Sequence, residues 1–338
     1  MPGGPTLLNY SQYMRRHASA MIRTVPVARR VVDRRRAAAA EVESLHREVE
    51  RLRADLATAA RAASVGEYPV GHFHSPVPDM DDVWAREAAL WASRDDVPGI
   101  DLHADEQLAL AGRLADLAAE HPWQDGHALR YRMDNHMFAR GDALVLYAML
   151  RLHRPPRVVE VGSGFSSALM LDTDDTHFRS RTEFTFIDPH PERLHGLLSD
   201  RDRQRVTVIE ERAELLDPVV FSGLRAGDLL FIDSSHVSRI GSDVNHLFLE
   251  VLPRLPAGVL VHVHDIPWPF EYWKHWVAQG RYWNEAYLLR ALLTDNPRFR
   301  VLWFSAYLMS EHREVLEARW PDFGARKGDG ASIWLTTV

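Results

Sequence analysis

Asp233 and His236 close one short apolar run, Asp228–Ile232 (DLLFI), and His264 and Asp265 close another, Gly258–Val263 (GVLVHV). If these runs are neighbouring parallel strands, all four groups face one crevice. Such a set suits two chemistries. One is removal of a hydroxyl proton by a general base, for which the imidazole of His236 or His264 has the matching pKa. The other is a divalent metal held by Asp233, His264 and Asp265, which would bind a substrate oxygen and lower its pKa. An imidazole ligand favours manganese, iron, cobalt or zinc over magnesium. The plainer alternative is a hydrogen-bonded Asp233–His264 dyad, with His262 a satisfied core histidine.

A second group lies upstream. Glu160-Val161-Gly162-Ser163-Gly164 follows the run Arg157–Val161 (RVVEV) and opens an apolar helical pattern. Glycines there permit a sharp turn and close approach of a ligand to the backbone, although a purely structural turn would read the same. Asp188 ends the run Glu183–Ile187 (EFTFI). An acid at that place accepts hydrogen bonds from both hydroxyls of a ribose, or else caps the following helix.

The elements that would position these groups alternate. Val206–Ile209 (VTVI) completes a set of five β-rich runs, separated by helical or turn-rich stretches. That alternation is the mark of a parallel sheet with crossover helices. Arg298–Ser305 and Ala331–Val338 are two further strand candidates, and the long connection between them permits a reversed last strand. Helical patterns occupy 83–93, 104–120 and 140–153. The fold class is therefore α/β, a doubly wound Rossmann-like sheet, preceded by an N-terminal helical extension. Four of the ten tryptophans fall between Trp268 and Trp283, among Phe270, Tyr272, Trp273, Trp276, Tyr282 and Tyr287. Aromatic faces there pack helices or stack on a ligand ring, and at least one is expected to reach the substrate. His72 and His74, in the loop GHFHSPVPD, are candidates to fold over the same crevice.

Taken together, EVGSGFSS (160–167), FIDPHPER (186–193), DLLFIDSSH (228–236) and LPAGVLVHVHDI (255–266) resemble the class I S-adenosylmethionine (SAM)-dependent methyltransferases. The similarity spans roughly 140–338 and is nearest in flavour to the small-molecule and sugar O-methyltransferases of the macrocin and mycinamicin type. It implies a seven-stranded sheet with the last strand antiparallel. It also implies that Glu160, Gly162, Ser163 and Gly164 border the methionine of SAM, that Asp188 holds the ribose and that Arg212 and Ala213 flank adenine, with Asp233 at the inner end of the cofactor. Tyr131, Asn135, Phe138 and Gly141-Asp142-Ala143 would line the pocket from above, or Asp142 would serve as a first-turn helix charge. In the resembling sugar enzymes acids at the fourth and fifth strand ends hold magnesium, so the metal, if any, is magnesium, manganese or iron. The acceptor is a small molecule or glycoside. Two other readings stay open: a metal-dependent enzyme of this fold that does not methylate, such as a hydroxylase, and an NAD(P)-dependent oxidoreductase, although no third fingerprint glycine and no Ser/Tyr/Lys set are found.

Composition bounds these readings. The chain has 338 residues, 46% apolar and 26% charged, with a net charge of −7. An acidic balance argues against nucleic acid as a partner. No apolar run reaches the roughly 20 residues that span a bilayer. Zero cysteines exclude disulfides, thiol catalysis and Cys-ligated zinc and fit a cytoplasmic protein. Residues 1–40 hold eight arginines and one acid, Asp33, which reads as a solvated, partly disordered arm or a basic face for peripheral contact with anionic lipid. Val42, Leu45, Val49, Leu52, Leu56, Ala59 and Ala63 then recur at heptad spacing, the seam either of a short coiled coil, and so of a homo-oligomer, or of a helix lying on the body. Ser64-Val65-Gly66 ends that helix. The expected organisation is 1–66 arm and heptad helix, 67–139 loop and helical cap, and 140–338 SAM-dependent domain.

Overall fold

A computed structural model describes residues 26–63, 67–94, 96–123, 129–138, 140–321, 323 and 330–338. The chain divides into two compact units, Met1–Val83 and Trp84–Val338. In the first, a long helix, α1, runs Pro26–Ala63. It begins well before the apolar seam, so Arg30, Arg34 and Arg35 are helical within what was expected as a solvated, partly disordered arm. Arginine is a good helix former, and a run of Ala37–Ala40 joins the basic segment to the seam. Residues 1–25, with Arg15, Arg16 and Arg23, and the break at Ser64–Gly66 lie outside the described residues. His72 and His74 belong to this unit, where their rings pack on Tyr68 and Phe73.

The second unit is a seven-stranded sheet. Its strands are β1 (Arg157–Val161), β2 (Glu183–Ile187), β3 (Val206–Ile209), β4 (Leu229–Ile232), β5 (Leu260–Val263), β6 (Phe299–Phe304) and β7 (Ile333–Thr337), in spatial order β3-β2-β1-β4-β5-β7-β6. The first five are parallel, and β7 lies antiparallel between β5 and β6. This is the Rossmann-like methyltransferase fold, with the last strand reversed as expected. Fully apolar LLFI in β4 and the wholly buried β5 show why these two sit in the centre, covered on both faces. Each large aliphatic side chain buried there contributes about 1.5–3 kcal/mol.

Register is what builds the site. Val161 pairs with both Ile187 and Ile232, and Ile232 pairs with Val263. The ladder runs one residue further, through Gly162 N–H to Ile187 O, Asp233 N–H to Val161 O and His264 N–H to Ile232 O, at 2.8–2.9 Å. Gly162, Asp188, Asp233 and His264 therefore leave the sheet at one level. The helix after β1, α2 (Phe165–Thr173), and the helix before it, α3 (Arg140–His153), pack beside this edge. Arg130 fastens the preceding segment by hydrogen bonds to Asp172, Asp175 and Asp202 at 2.5–2.8 Å.

Candidate functional site

A cleft of about 1290 Å³ opens along the carboxyl edge of the strands. Small-molecule sites usually measure roughly 300–1,000 Å³, so there is room for a cofactor and a second molecule.

At one end, Gly162 takes φ +83° and passes so close to β4 that a Cβ would stand 1.8 Å from the Asp233 carbonyl oxygen. Ser163 follows; its N–H and hydroxyl donate to Asp188 Oδ2 at 2.9 and 3.1 Å, and His190 N–H donates to Oδ1. Asp188 is thus held across the cleft floor with lone pairs still open, and both Gly162 and Ser163 line the cleft. Glu160 differs from expectation. It is fully buried, and its two carboxylate oxygens accept the hydroxyls of Ser166 and Ser167. It therefore fixes the first turn of α2 instead of bordering a ligand, and Gly164, whose N–H donates to Ser167 Oγ, belongs to the same turn and is likewise absent from the cleft lining. Burial pushes the Glu160 carboxyl up to about 8, against the two serine hydrogen bonds that favour its charge. A carboxyl raised in the fold binds its proton there before it would in the unfolded chain. Stability is therefore present in full below the ordinary glutamate range and falls as pH rises toward 8. Glu160→Gln is expected to flatten that slope, which approaches about 1.4 kcal/mol per pH unit, in urea melts between pH 5 and 8.

Arg212 and Ala213 are also on the cleft, together with Glu211. Ala213 is buried, whereas the Arg212 side chain folds outward onto Glu214. From above, Asp142 lines the cleft and its carboxylate accepts the Ala331 N–H at 3.1 Å. Tyr131 and Asn135 instead serve the loop itself, since both bond to the Phe138 carbonyl.

At the other end stand the ionisable groups. His236 Nε2 lies 3.3 Å from Asp233 Oδ1 and 3.8 Å from Asp265 Oδ2. One donor atom from each of these three residues falls within 4.8 Å of the other two. His264, expected as the ligand from β5, is outside this group. Its Nε2 is 3.6 Å from Asp265 Oδ1, and its ring lies against Phe138 and Phe231. Both His236 (φ +59°) and Asp265 (φ +57°) adopt left-handed backbone, which costs non-glycine residues about 1–3 kcal/mol. Burial alone would lower the pKa of His236, but its bonds to Asp233 and Glu285 prevail and hold it well above the imidazole range. His264 is likewise raised, against burial, by Asp265 and Asp233. Asp233 is held low by His264 and His236 despite burial, whereas burial keeps Asp265 high.

Glu285 is the residue that sequence reasoning missed. It opens helix α4 (Glu285–Leu293), is 1% exposed and lies 49 residues from His236. Its Oε2 is 2.8 Å from His236 Nδ1, and its Oε1 accepts the Ser234 hydroxyl at 2.6 Å. In sequence it reads only as a first-turn helix acid after Asn284. Trp283 lies 4.3 Å from the His236 ring. Of the aromatic cluster, Trp273, Trp276 and Trp283 reach the cleft, while Trp268 and Phe270 are core. His262 is core too, but not satisfied. Neither ring nitrogen has a partner among the described residues; the ring stacks on Phe231 at 3.9 Å, and burial keeps it neutral.

Residues 159–266 match a family model described as a methyltransferase domain. An uncharacterized protein of Archaeoglobus fulgidus is 36% identical over 160 residues, covering 45% of this chain and 68% of that protein. Among solved structures, the SAH-bound methyltransferase PaMTH1 of Podospora anserina is 17% identical, with a TM-score of 0.38 over 78% of this chain and 98% of its own. The SAM-bound O-methyltransferase TomG of Streptomyces achromogenes, involved in tomaymycin synthesis, is 13% identical, with a TM-score of 0.32 over 77% and 96%. No described helix is long and apolar enough to cross a membrane.

Proposed function

We propose that this chain, which belongs to one family with the archaeal protein and carries a class I SAM-dependent methyltransferase domain, transfers a methyl group to a hydroxyl of a small molecule or glycoside. The observation that carries this reading is one cleft that Gly162, Ser163 and Asp188 line at one end and His236 and Asp265 at the other, with Asp233 next to both Gly162 and His236. SAM fits the first end by its donor set: a close-approach glycine, exposed backbone, and a carboxylate with free lone pairs for ribose hydroxyls. SAM supplies the methyl group; the chain supplies placement and removal of the acceptor proton. Asp233 and His236 are the groups within reach of such a hydroxyl, and the tryptophan wall excludes water from it.

A divalent metal assists in this reading. If Glu285 holds a proton on His236 Nδ1, a neutral ring aims its Nε2 lone pair at two carboxylates, which is repulsive unless a second proton or a cation intervenes. A carboxylate on the far nitrogen is also the usual orienter of a metal-bound histidine. Asp233, His236 and Asp265 would hold the ion, and two carboxylates with one imidazole suit manganese or iron better than magnesium. The ion would lower the pKa of an acceptor hydroxyl.

Asp188→Ala is expected to weaken SAM binding at least about tenfold without unfolding the chain, since hydrogen bonds to a charged acceptor contribute about 1.5–3 kcal/mol each. Calorimetry with SAM and with NAD checks both the residue and the cofactor class. Unchanged SAM affinity in the folded variant would remove Asp188 from the site, and tighter binding of NAD would overturn the methyltransferase reading. Gain of labelled methyl on a panel of glycosides and phenols tests the transfer itself.

A further inference from the structure

The outer wall of the cleft carries cations without partners. Arg281 Cζ lies 5.4 Å from the ring centroids of both Trp276 and Trp283. Arg239 lines the same cleft. Among the described residues, neither guanidinium has a carboxylate or carbonyl partner. Other acids that line the cleft have partners: Glu214 in Arg212, Glu210 in His195, Glu211 in the Arg212 amide, Asp243 in Ser235 and Asp142 in the Ala331 amide. The two indoles meet edge to face, 5.2 Å apart, and the guanidinium rests beside both, so they hold it by cation–π attraction while its N–H groups stay free to receive a carboxylate or phosphate. Trp283 also touches His236 at 4.3 Å, so one indole contacts both Arg281 and the ionisable cluster.

Resting on the methyl-transfer reading, we propose that the acceptor is an anion: a ring lying on the tryptophan wall, with a carboxylate or phosphate on Arg281 and Arg239 and its hydroxyl toward Asp233 and His236. Tryptophan-fluorescence titrations of the SAM-bound chain at low salt test this, with phenyl phosphate, benzoate, phenol and inorganic phosphate as probes. Phenyl phosphate or benzoate is expected to bind at least about tenfold more tightly than phenol, and Arg281→Gln should erase that preference while leaving SAM affinity unchanged. The ratio of phenyl phosphate to benzoate identifies which anion the site prefers. Equal affinity for phenol, a preference that survives in the Arg239→Gln/Arg281→Gln double variant, inorganic phosphate binding as well as phenyl phosphate, or no binding of either aryl anion would each overturn the proposal. Failure here with intact SAM binding leaves methyl transfer standing; failure to bind SAM removes its premise.

A second inference rests on α1 alone. With Val42, Val49 and Leu56 at heptad position a and Leu45 and Leu52 at d, the seam is exposed, between 42% and 70%. β-branched a residues with leucine at d favour parallel pairs. The flanks agree: g positions are Glu41, Glu48 and Asp55, and e positions are His46 and Arg53. A parallel, in-register pair sets Glu48 against the second copy's Arg53 and Glu41 against its His46, whereas an antiparallel pair sets acid against acid. We infer that α1 binds a second copy of this chain as a parallel coiled coil. Because the chain has no cysteine, Leu45→Cys and Leu52→Cys variants of the full chain report the alignment directly. Each is expected to oxidise with itself, and the two mixed should give no excess of the cross-position disulfide. A predominant 45–52 crosslink, or a monomer for the unaltered chain in light scattering, would overturn the inference.

Discussion

Gly162→Ala is expected to abolish SAM binding and to lower stability by about 3–5 kcal/mol, the range reserved for changes with a defined steric cause. Two costs add. At φ +83° a Cβ meets its own carbonyl, about 1–2 kcal/mol for an L-residue. The larger cost is the 1.8 Å approach to the Asp233 carbonyl oxygen, with the carbonyl carbon at 2.9 Å. These are backbone atoms of the next strand, held by the Asp233 N–H to Val161 O bond at 2.8 Å, so they yield only if β1 and β4 separate where the cofactor would lie. Gly241→Ala is the control: φ is +66°, yet nothing lies within 4 Å of the added carbon. It should cost about 1 kcal/mol and leave SAM binding alone. Urea denaturation and calorimetry on both variants check this. Equal costs would mean that conformation, not close approach, requires glycine at 162.

Much of this arrangement was legible in the sequence because buried strands need continuous apolar runs, and short ones. β1, β2 and β3 begin and end where their patterns do. β5 starts at Leu260, two residues late, since Gly258 at φ +87° still belongs to the turn packed on Ala226. Parallel register then makes strand-end positions predictable, which is why Asp188, Asp233 and His264 leave the sheet together. Two or more residues beyond the strands that logic fails. Left-handed backbone at His236 and Asp265 redirects both side chains, so His236, not His264, joins the two aspartates. Glu285 had no signal at all. It arrives because the α4 N–H groups of Asn284 and Glu285 meet the His236 carbonyl, a tertiary contact that no spacing announces. The run GVLVHV put His262 in the core as a satisfied histidine, but could not say that its nitrogens would go unpaired.

Asp233→Ala and His236→Ala should each reduce single-turnover methyl transfer by about 10³-fold or more, the upper part of what loss of a general base costs, while SAM affinity stays within a few-fold. The separation follows from position: neither side chain touches Asp188, which carries the cofactor contact. Glu285→Gln should fall between, at about 10–100-fold, because it acts only by aiming His236. His264→Gln should cost less than His236→Ala, since its Nε2 stands 3.6 Å from Asp265 and outside the group of three donors. The metal reading gives these variants an independent readout. Protein purified without chelator should retain a divalent ion in the His264→Gln variant and lose it in Asp233→Ala and His236→Ala, and chelator dialysis of the unaltered chain should reproduce their loss of turnover. Full activity after exhaustive chelation would remove the metal and leave the hydrogen-bonded Asp233–His236 pair to take the acceptor proton. Wild-type turnover by His236→Ala would remove His236 as well, because no metal or proton-transfer role at that Nε2 survives the loss of its ring.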